Sequence, residues 1–242
     1  MFRFIYVIIA NLFRGPVFIP KMRKMAANPE KYSDEARYAY CKYAIHFMMK
    51  SGHISTDVYG LENLPKDTGY VMFPNHQGKY DALGIIYAHE EPCSFVMDEA
   101  KSNGFLVKEI VNLVDAKRLK INDVRHGLKI MNEITEDVKV GKKYILFSEG
   151  GYHKNRNHVQ EFKPGSFKSA VRAQVPIVPV CLIDSYKPFN SLELGKITTK
   201  VIFLPPLYYE DYKDMKTPQI ASIVRSQIID KMAEFGIDAT SE

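Results

Sequence analysis

Short apolar runs alternate along this chain with longer segments whose apolar residues recur at helical spacing. The short runs predict strands, and they cover residues 54–59, 70–73, 94–97, 144–147, 176–183 and 200–204. Helical spacing predicts helices at residues 33–50, 81–88, 105–114, 124–138 and 166–174, and after Thr217-Pro218. Because strands and helices alternate, we predict an α/β fold, with a mixed sheet covered by helices.

The chain is predicted to divide near residue 53. No linker-like stretch follows residue 54, so residues 54–242 are expected to form one α/β domain. Residues 1–53 are expected to form an N-terminal helical pair. Its second member begins at Ser33, with Asp34 and Glu35 in the first turn, and ends at Gly52.

The positive charge of the chain is concentrated at its N-terminus. The formal net charge is +5, and residues 1–25 hold five basic residues and no acid: Arg3, Arg14, Lys21, Arg23 and Lys24. A nucleic-acid-binding protein usually spreads such an excess over a broad face, so we expect no nucleic-acid partner. An apolar helix flanked by cations fits an anionic membrane surface, and we predict that residues 1–53 associate with a membrane.

Two other interpretations of the N-terminus stay open. Phe4–Phe13 could be a core helix docked on the domain, or part of a secretory signal, although basic residues stand where a small neutral cleavage site is expected. No apolar run approaches the roughly 20 residues that cross a bilayer as a helix, which excludes a multi-span protein.

The cysteines argue against a disulfide scaffold or a zinc ribbon. Cys41, Cys93 and Cys181 are odd in number, far apart and form no Cys-x-x-Cys pair, so reduced thiols are expected. His153 and His158 lack helical spacing and a third ligand, so we predict no metal site.

A histidine and an aspartate follow the second predicted strand. His76 and Asp81 are five residues apart, and on one ideal helix their side chains would diverge by about 140°. They can meet only if His76 lies in a turn and Asp81 in the helix after it. The carboxylate would then fix the imidazole tautomer and leave the other nitrogen as a base. A capping histidine and a helix N-terminal aspartate would explain the same residues.

Three further polar segments could bind substrate or be purely structural. After the fourth strand, Glu149, Gly150 and Gly151 open a loop with Lys154 and Arg156, which could cradle an anion or simply connect two elements. The basic cluster at residues 115–120 is typical of a solvated face. Ser166 is a candidate N-cap, and the prolines at 176 and 179 favour a strand near a sheet edge or a strand start.

Taken together, these segments resemble the PlsC-type glycerolipid acyltransferase family, especially the 1-acyl-glycerol-3-phosphate acyltransferases. The likeness covers about residues 54 to 210. Asn75-His76 with Asp81 resembles the family's His-x4-Asp motif, and Phe147-Ser148-Glu149-Gly150 stands where the family has Phe-Pro-Glu-Gly-Thr-Arg. Phe162–Gly165 and Val175–Val180 of this chain resemble the segment that follows in the family.

The resemblance implies an enzyme that moves a fatty acyl group from a thioester, of coenzyme A or acyl carrier protein, to the hydroxyl of lysophosphatidate. No metal or cofactor is implied. His76 would be the base and Asp81 its partner, and the product phosphatidate would enter phospholipid synthesis. The resemblance also implies a peripheral or monotopic enzyme on the cytoplasmic face of the cell membrane.

The substrate-binding residues are harder to transfer from the family. Gly151 and Tyr152 replace its Thr-Arg pair, so another cation has to hold the phosphate. Arg118 is the best match, with neighbouring Lys117 and with Arg156 as further candidates. Glu149, Gly150 and Gly151 are expected to order the loop or bind the glycerol.

Three other functions remain compatible with the sequence. The acceptor could be a lysolipid with another headgroup. Ser148 could serve a serine hydrolase or thioesterase, because Gly150 follows two residues later, although Leu146 replaces the preceding glycine of a nucleophile elbow. The chain could also be a non-catalytic lipid-binding module.

Overall fold

A seven-stranded sheet organises the chain in a computed structural model, which describes residues 2–104, 106–193 and 195–240. In chain order the strands are β1 (Ile54–Tyr59), β2 (Tyr70–Pro74), β3 (Cys93–Asp98), β4 (Lys117–Leu119), β5 (Lys143–Ile145), β6 (Ile177–Ile183) and β7 (Ile197–Phe203). Across the sheet their order is β1-β7-β6-β2-β5-β3-β4. Only β6 and β7 are antiparallel, so the mixed sheet is confirmed.

Helices cover both faces of this sheet. In chain order they are α1 (Phe2–Ala10), α2 (Gly15–Ala26), α3 (Asp34–Ser51), α4 (Asp81–Ala88), α5 (Glu99–Ser102), α6 (Val107–Leu113), α7 (Val124–Lys139), α8 (Lys168–Ala173), α9 (Lys187–Asn190), α10 (Tyr209–Tyr212) and α11 (Thr217–Glu234). Short 3-10 turns lie at Leu61–Asn63 and Pro164–Phe167.

The core has two layers because side chains alternate along each strand. In β2, Tyr70 and Met72 pack in the layer beneath α2, α3, α4 and α6, whereas Val71 and Phe73 pack in the layer beneath α7, α8 and α11. A strand covered on both faces is apolar throughout, which explains why β2 and β6 could be predicted from continuous apolar runs.

Several predicted boundaries differ from the structure. Lys117–Leu119 forms β4 at one edge of the sheet, although no strand was predicted in this basic cluster. Three residues are too few to show the alternation of a strand. The predicted helix at 105–114 begins at Val107, and Phe105 lies outside the described residues.

The prediction that Ser166 caps a helix was wrong, whereas the strand-start prediction holds for Pro176, which directly precedes β6. Ser166 does not cap a helix, because it lies inside a 3-10 turn and its hydroxyl donates to the Lys163 carbonyl and to Ser148. Pro179 lies in a central strand rather than at an edge. The ring is tolerated because pairing with β7 begins only at Val180.

The N-terminal helices pack on the domain. The predicted first helix is broken into two helices, α1 and α2, and the chain bends by 91° between them. Arg3 of α1 donates to the carbonyls of Gly52, Glu193 and Gly195, and Arg23 of α2 donates two hydrogen bonds to Glu109, at 3.0 and 2.7 Å. The division near residue 53 stays a prediction.

No helix in the described part of the chain is by itself long and apolar enough to cross a membrane. The bent pair Arg3–Ala10 and Gly15–Ala26 reaches that length and composition only when its members are taken together.

Candidate active site

His76 and Asp81 meet at the carboxyl end of β2. His76 lies in the turn, and Asp81 is the first residue of α4. The ring nitrogen Nδ1 of His76 is 2.7 Å from Oδ2 of Asp81. The structure therefore places the pair in the turn-and-helix arrangement that the spacing required.

Backbone amides fix the Asp81 carboxylate. Its Oδ2 accepts hydrogen bonds from the amides of Gln77 and Gly78, at 2.6 and 2.8 Å, and the side chain is fully buried. An ionised carboxylate only accepts hydrogen bonds, so the proton of the neutral imidazole is assigned to Nδ1. The lone pair is then on Nε2, which has no hydrogen-bond partner among the described residues.

Both peptide groups that flank His76 are also held. Its N–H donates to Oε1 of Glu149 at 2.9 Å, and its carbonyl accepts from the Asn155 side chain at 3.0 Å. The ring stacks on Phe147, with centroids 4.2 Å apart, and meets the edge of Tyr152 at 4.8 Å. The aromatic residue that replaces the family's arginine thus helps to orient the imidazole.

Two buried amide side chains tie the turn to the end of β6. Asn75 donates to the Leu182 carbonyl and accepts from the Leu182 amide, at 3.0 and 2.8 Å. Gln77 donates to the same carbonyl at 2.8 Å and accepts from the Ser185 amide at 2.8 Å. These bonds restrain the turn from both sides of His76.

Glu149 is a buried carboxylate beside His76 and Asp81. Its Oε2 accepts from Gln160 at 2.6 Å, in addition to the bond from the His76 amide. Burial raises the pKa of Glu149 from 4.5 to about 7, although the hydrogen bonds from His76 and Gln160 oppose the shift. Through its hydrogen bond to the His76 amide, Glu149 helps to set the position of His76.

This shifted pKa predicts how stability depends on pH. Between pH 4.5 and about 7 the folded chain binds more protons at Glu149 than the unfolded chain. The stabilisation from this group is therefore full below pH 4.5 and is lost as the pH rises through about 7. Relative to Glu149→Gln, the unfolding free energy of the wild type should fall by on the order of 2 kcal/mol from pH 5 to pH 8.

Urea unfolding of both proteins at the two pH values measures this difference. Glu161→Gln is the matched control, because that side chain is largely exposed and should leave the pH dependence of stability unchanged. Parallel pH profiles for the wild type and Glu149→Gln would contradict the prediction.

The adjacent glycines are required by geometry. Gly150 has φ +78°, and a Cβ there would lie 2.2 Å from Nζ of Lys163. Gly151 has φ +146°, which side chains rarely allow. Gly150 and Gly151 thus let the loop pass close to the Lys163 ammonium group.

Two of the three cations predicted to bind phosphate are engaged with protein partners. Arg118 donates to the side chains of Ser102 and Asn112, and Lys117 pairs with Glu133 and Asp137 at 3.5 and 3.3 Å. Arg156 is exposed in the loop after Gly151. Their phosphate-binding role stays a prediction.

A large open cavity, about 1570 Å³ in volume, connects His76 with the N-terminal helices. Gly150 and Gly151 lie at the His76 end, and side chains of α1, α2 and α7 line the other parts. Most of its surface is apolar. The described cationic side chains in its wall are four lysines: Lys79, Lys101, Lys120 and Lys163.

Sequence reasoning missed these lysines as a group. Lys163 belongs to the Phe-Lys-Pro-Gly segment already matched to the family, which was the available signal for it. Lys79 lies within the turn between His76 and Asp81, and Lys120 within the basic cluster at residues 115–120, but only the fold brings them to one cavity wall with Lys101.

Ser148 directly precedes Glu149 in the chain and lines the same cavity as His76. Its side chain is buried, and its hydroxyl accepts from Ser166 at 2.7 Å. His76 makes no hydrogen bond to it among the contacts of the described residues. Within those same residues, no group of three or more His, Cys, Asp or Glu side chains is arranged to hold a metal ion.

Comparisons with known proteins agree on one family. The family model described as acyltransferase matches residues 55–183. The mouse and human proteins named 1-acyl-sn-glycerol-3-phosphate acyltransferase alpha are 29% and 30% identical, and each match covers 76% of this chain and 66% of the relative. This chain thus spans just under two thirds of the length of these mammalian relatives.

A bacterial relative and a solved structure extend the match. A probable 1-acyl-sn-glycerol-3-phosphate acyltransferase of Mycoplasma pneumoniae is 24% identical, over 86% of this chain and 82% of the relative. The crystal structure of the 1-acyl-sn-glycerophosphate acyltransferase PlsC from Thermotoga maritima superimposes with a TM-score of 0.70. It is 18% identical, and the match covers 93% of this chain and 97% of the other. At that identity it supports the fold.

Proposed function

This chain belongs to the acyltransferase family, and we propose on that basis that it moves a fatty acyl group from a thioester to the hydroxyl of lysophosphatidate, producing phosphatidate. The observation that carries the proposal is the imidazole of His76, which is oriented by buried Asp81 and lines an apolar cavity large enough for lipid chains.

In the proposed mechanism His76 acts as the general base. An alcohol holds its proton with a pKa near that of water, far above neutral pH, so it attacks a thioester poorly unless the proton is removed. Nε2 takes the proton as the hydroxyl oxygen attacks the thioester carbonyl. When the tetrahedral intermediate collapses, the carbon–sulfur bond breaks and the imidazolium returns the proton to the leaving thiolate.

Asp81 stabilises the imidazolium that forms during this step. The charge on Nδ1 develops 2.7 Å from a carboxylate oxygen that is already fixed by two backbone amides. The Gly78 amide, a candidate donor for the tetrahedral oxyanion, is committed to Asp81. We therefore assign the oxyanion to the loop of Gly150 and Gly151, which lines the cavity next to His76 and in which the Gly150 amide makes only a long hydrogen bond, 3.4 Å, to the Phe147 carbonyl.

The phosphate of the acceptor needs a cation near the reaction centre. Lys163 is the best candidate, because it lines the cavity beside Gly150, whereas Arg118 and Lys117 are engaged with protein partners. Arg156 and Arg118 remain proposals for the same role. The mechanism needs no metal or cofactor, since the thioester of coenzyme A or acyl carrier protein supplies the activated acyl group.

We also propose a location at the cytoplasmic face of the cell membrane, where thioester donors are available. The basic, apolar α1 and α2 line the cavity and would meet the anionic lipid surface, so that the acceptor enters from the bilayer.

An in vitro assay tests the proposed function. The purified chain is offered an acyl thioester with lysophosphatidate, lysophosphatidylcholine or glycerol 3-phosphate, and free thiol and lipid product are measured. We expect equal release of thiol and formation of phosphatidate with lysophosphatidate. Lack of lipid product with every acceptor would overturn the proposal, and preference for another acceptor would overturn the headgroup.

Ser148 separates this enzyme from a thioesterase. If the serine hydroxyl were the nucleophile, Ser148→Ala would abolish thiol release. Because Ser148 is buried and bonded to Ser166, we expect the variant to keep kcat within about threefold of the wild type, a change below about 0.7 kcal/mol. Ser166→Ala is the matched control, since it removes the same hydrogen bond. Loss of activity in Ser148→Ala alone would favour the hydrolase.

A further inference from the structure

An exposed apolar patch lies at the start of α7. It consists of Ile121, Val124 and Leu128, which we call the α7 lip, and Val124 is 76% exposed. Val124 and Leu128 are four residues apart, so they lie on one face of the helix. Ile130 and Ile134, further along the helix and roughly 80° to 160° around its axis from these two residues, are buried in the core. The α7 lip is therefore an apolar row that the packing of the domain does not use.

The α7 lip forms part of the rim of the catalytic cavity. Ile121 and Val124 line the cavity and are also exposed, at 54% and 76%. Leu12, between α1 and α2, likewise lines the cavity and is 63% exposed. We call Leu12, Phe13 and Val17 the N-terminal lip. Two apolar surfaces from distant parts of the sequence thus border one open cavity.

Basic side chains lie beside the α7 lip. Lys120, Arg125 and Lys129 flank the α7 lip and are exposed. The neighbouring acids are partly engaged. Asp123 accepts from the amide of His126 at 2.9 Å as the helix N-cap, and Glu99 lies 4.0 Å from Lys120. Glu133 lies 4.0 Å from Lys129, so three carboxylates face the three cations, and Arg125 makes no ion pair among the described residues. Apolar side chains beside such an unpaired cation are typical of surfaces that bind anionic bilayers.

We propose that the α7 lip inserts into the headgroup region of an anionic bilayer, as a second membrane contact in addition to the N-terminal helices. The cavity then opens onto the membrane between two apolar lips. A protein seated on both lips would close the mouth through which substrate passes, whereas a bilayer holds the substrate. This inference extends the proposed function, because it assigns a route for a lipid acceptor.

A fluorophore at position 124 tests the insertion. The native cysteines are buried, so Val124→Cys offers the exposed thiol for labelling with an environment-sensitive dye. Val140→Cys is the matched control, since Val140 is 77% exposed at the other end of α7. On phosphatidylcholine vesicles that contain phosphatidylglycerol, we expect a blue shift at position 124 and none at position 140. No shift at 124, or equal shifts at both positions, would overturn the proposal.

Vesicle affinity of unlabelled variants provides a second measurement. Ile121→Ser with Val124→Ser should weaken binding roughly tenfold, because two apolar side chains no longer enter the interface. Neutralising Lys120, Arg125 and Lys129 to Gln should cost roughly fivefold per charge on anionic vesicles and little on neutral ones. Val140→Ser with Leu192→Ser, at exposed sites away from the cavity, should change nothing.

Other outcomes are equally decisive. Unchanged affinity in the α7 lip variants, at an unchanged unfolding midpoint, would overturn the proposal. A dye shift caused by acidic acyl carrier protein and absent on vesicles would assign the α7 lip to a protein partner instead. All of these measurements are made without turnover, so failure of membrane insertion and failure of the proposed acyl transfer are distinguished by separate experiments.

Discussion

Replacement of His76 by alanine should lower kcat by roughly 10²- to 10⁴-fold, because the acceptor hydroxyl loses the base that removes its proton. The KM for the lipid acceptor should change much less, since the apolar cavity that holds the acyl chain is intact. Phosphatidate formation from saturating thioester and lysophosphatidate measures this effect.

Matched controls separate chemistry from folding. His153→Ala removes an exposed imidazole from the neighbouring loop and should leave kcat unchanged. The alanine at position 76 leaves a gap between Phe147 and Tyr152, so the unfolding midpoint is measured alongside. A folded His76→Ala protein that keeps more than about a tenth of wild-type kcat would rule out His76 as the base.

Much of the fold was predictable because its strands are buried on both faces. Continuous apolar runs located β2 and β6 to within about a residue, and Ser33 located the start of α3, where its hydroxyl accepts from the Ala36 amide. Strand order was beyond prediction, because parallel partners such as β1 and β7 are separated by more than a hundred residues. Local periodicity carries no information on such pairings.

The candidate site was predictable only in its central pair. The spacing of His76 and Asp81 showed that they could meet, and the structure brings them to 2.7 Å. Tyr152 and Asn155 were missed as contacts of His76, because their roles depend on how the loop after Gly151 folds back. The cation that binds the phosphate stays a prediction. The sequence favoured Arg118, but side-chain partners hold that residue, and tertiary structure brings Lys163 to the cavity.

Asp81→Asn should also lower kcat strongly, by roughly 10²- to 10⁴-fold, while preserving the shape of the turn. The asparagine oxygen can still accept from the Gln77 and Gly78 amides, but the negative charge that stabilises the imidazolium is lost. Its amide group would take the place of Oδ1, which is buried with no partner among the described residues. The unfolding free energy should therefore fall by about 1–3 kcal/mol.

The control for Asp81→Asn is Asp98→Asn. Asp98 also lines the cavity, and its side chain caps α5 by accepting from the Ala100 amide, a role that asparagine fills equally well. The same charge is thus removed near the cavity without touching His76, and kcat should stay within about threefold of the wild type.

The double variant His76→Ala/Asp81→Asn tests whether the two residues act as one unit. If Asp81 works only through the imidazole, it contributes nothing once the imidazole is absent, so kcat of the double variant should match that of His76→Ala alone. Independent roles would instead make the two losses multiply. A multiplied loss, measured at an unchanged unfolding midpoint relative to Asp81→Asn, would show that the carboxylate acts on the reaction by a route other than His76.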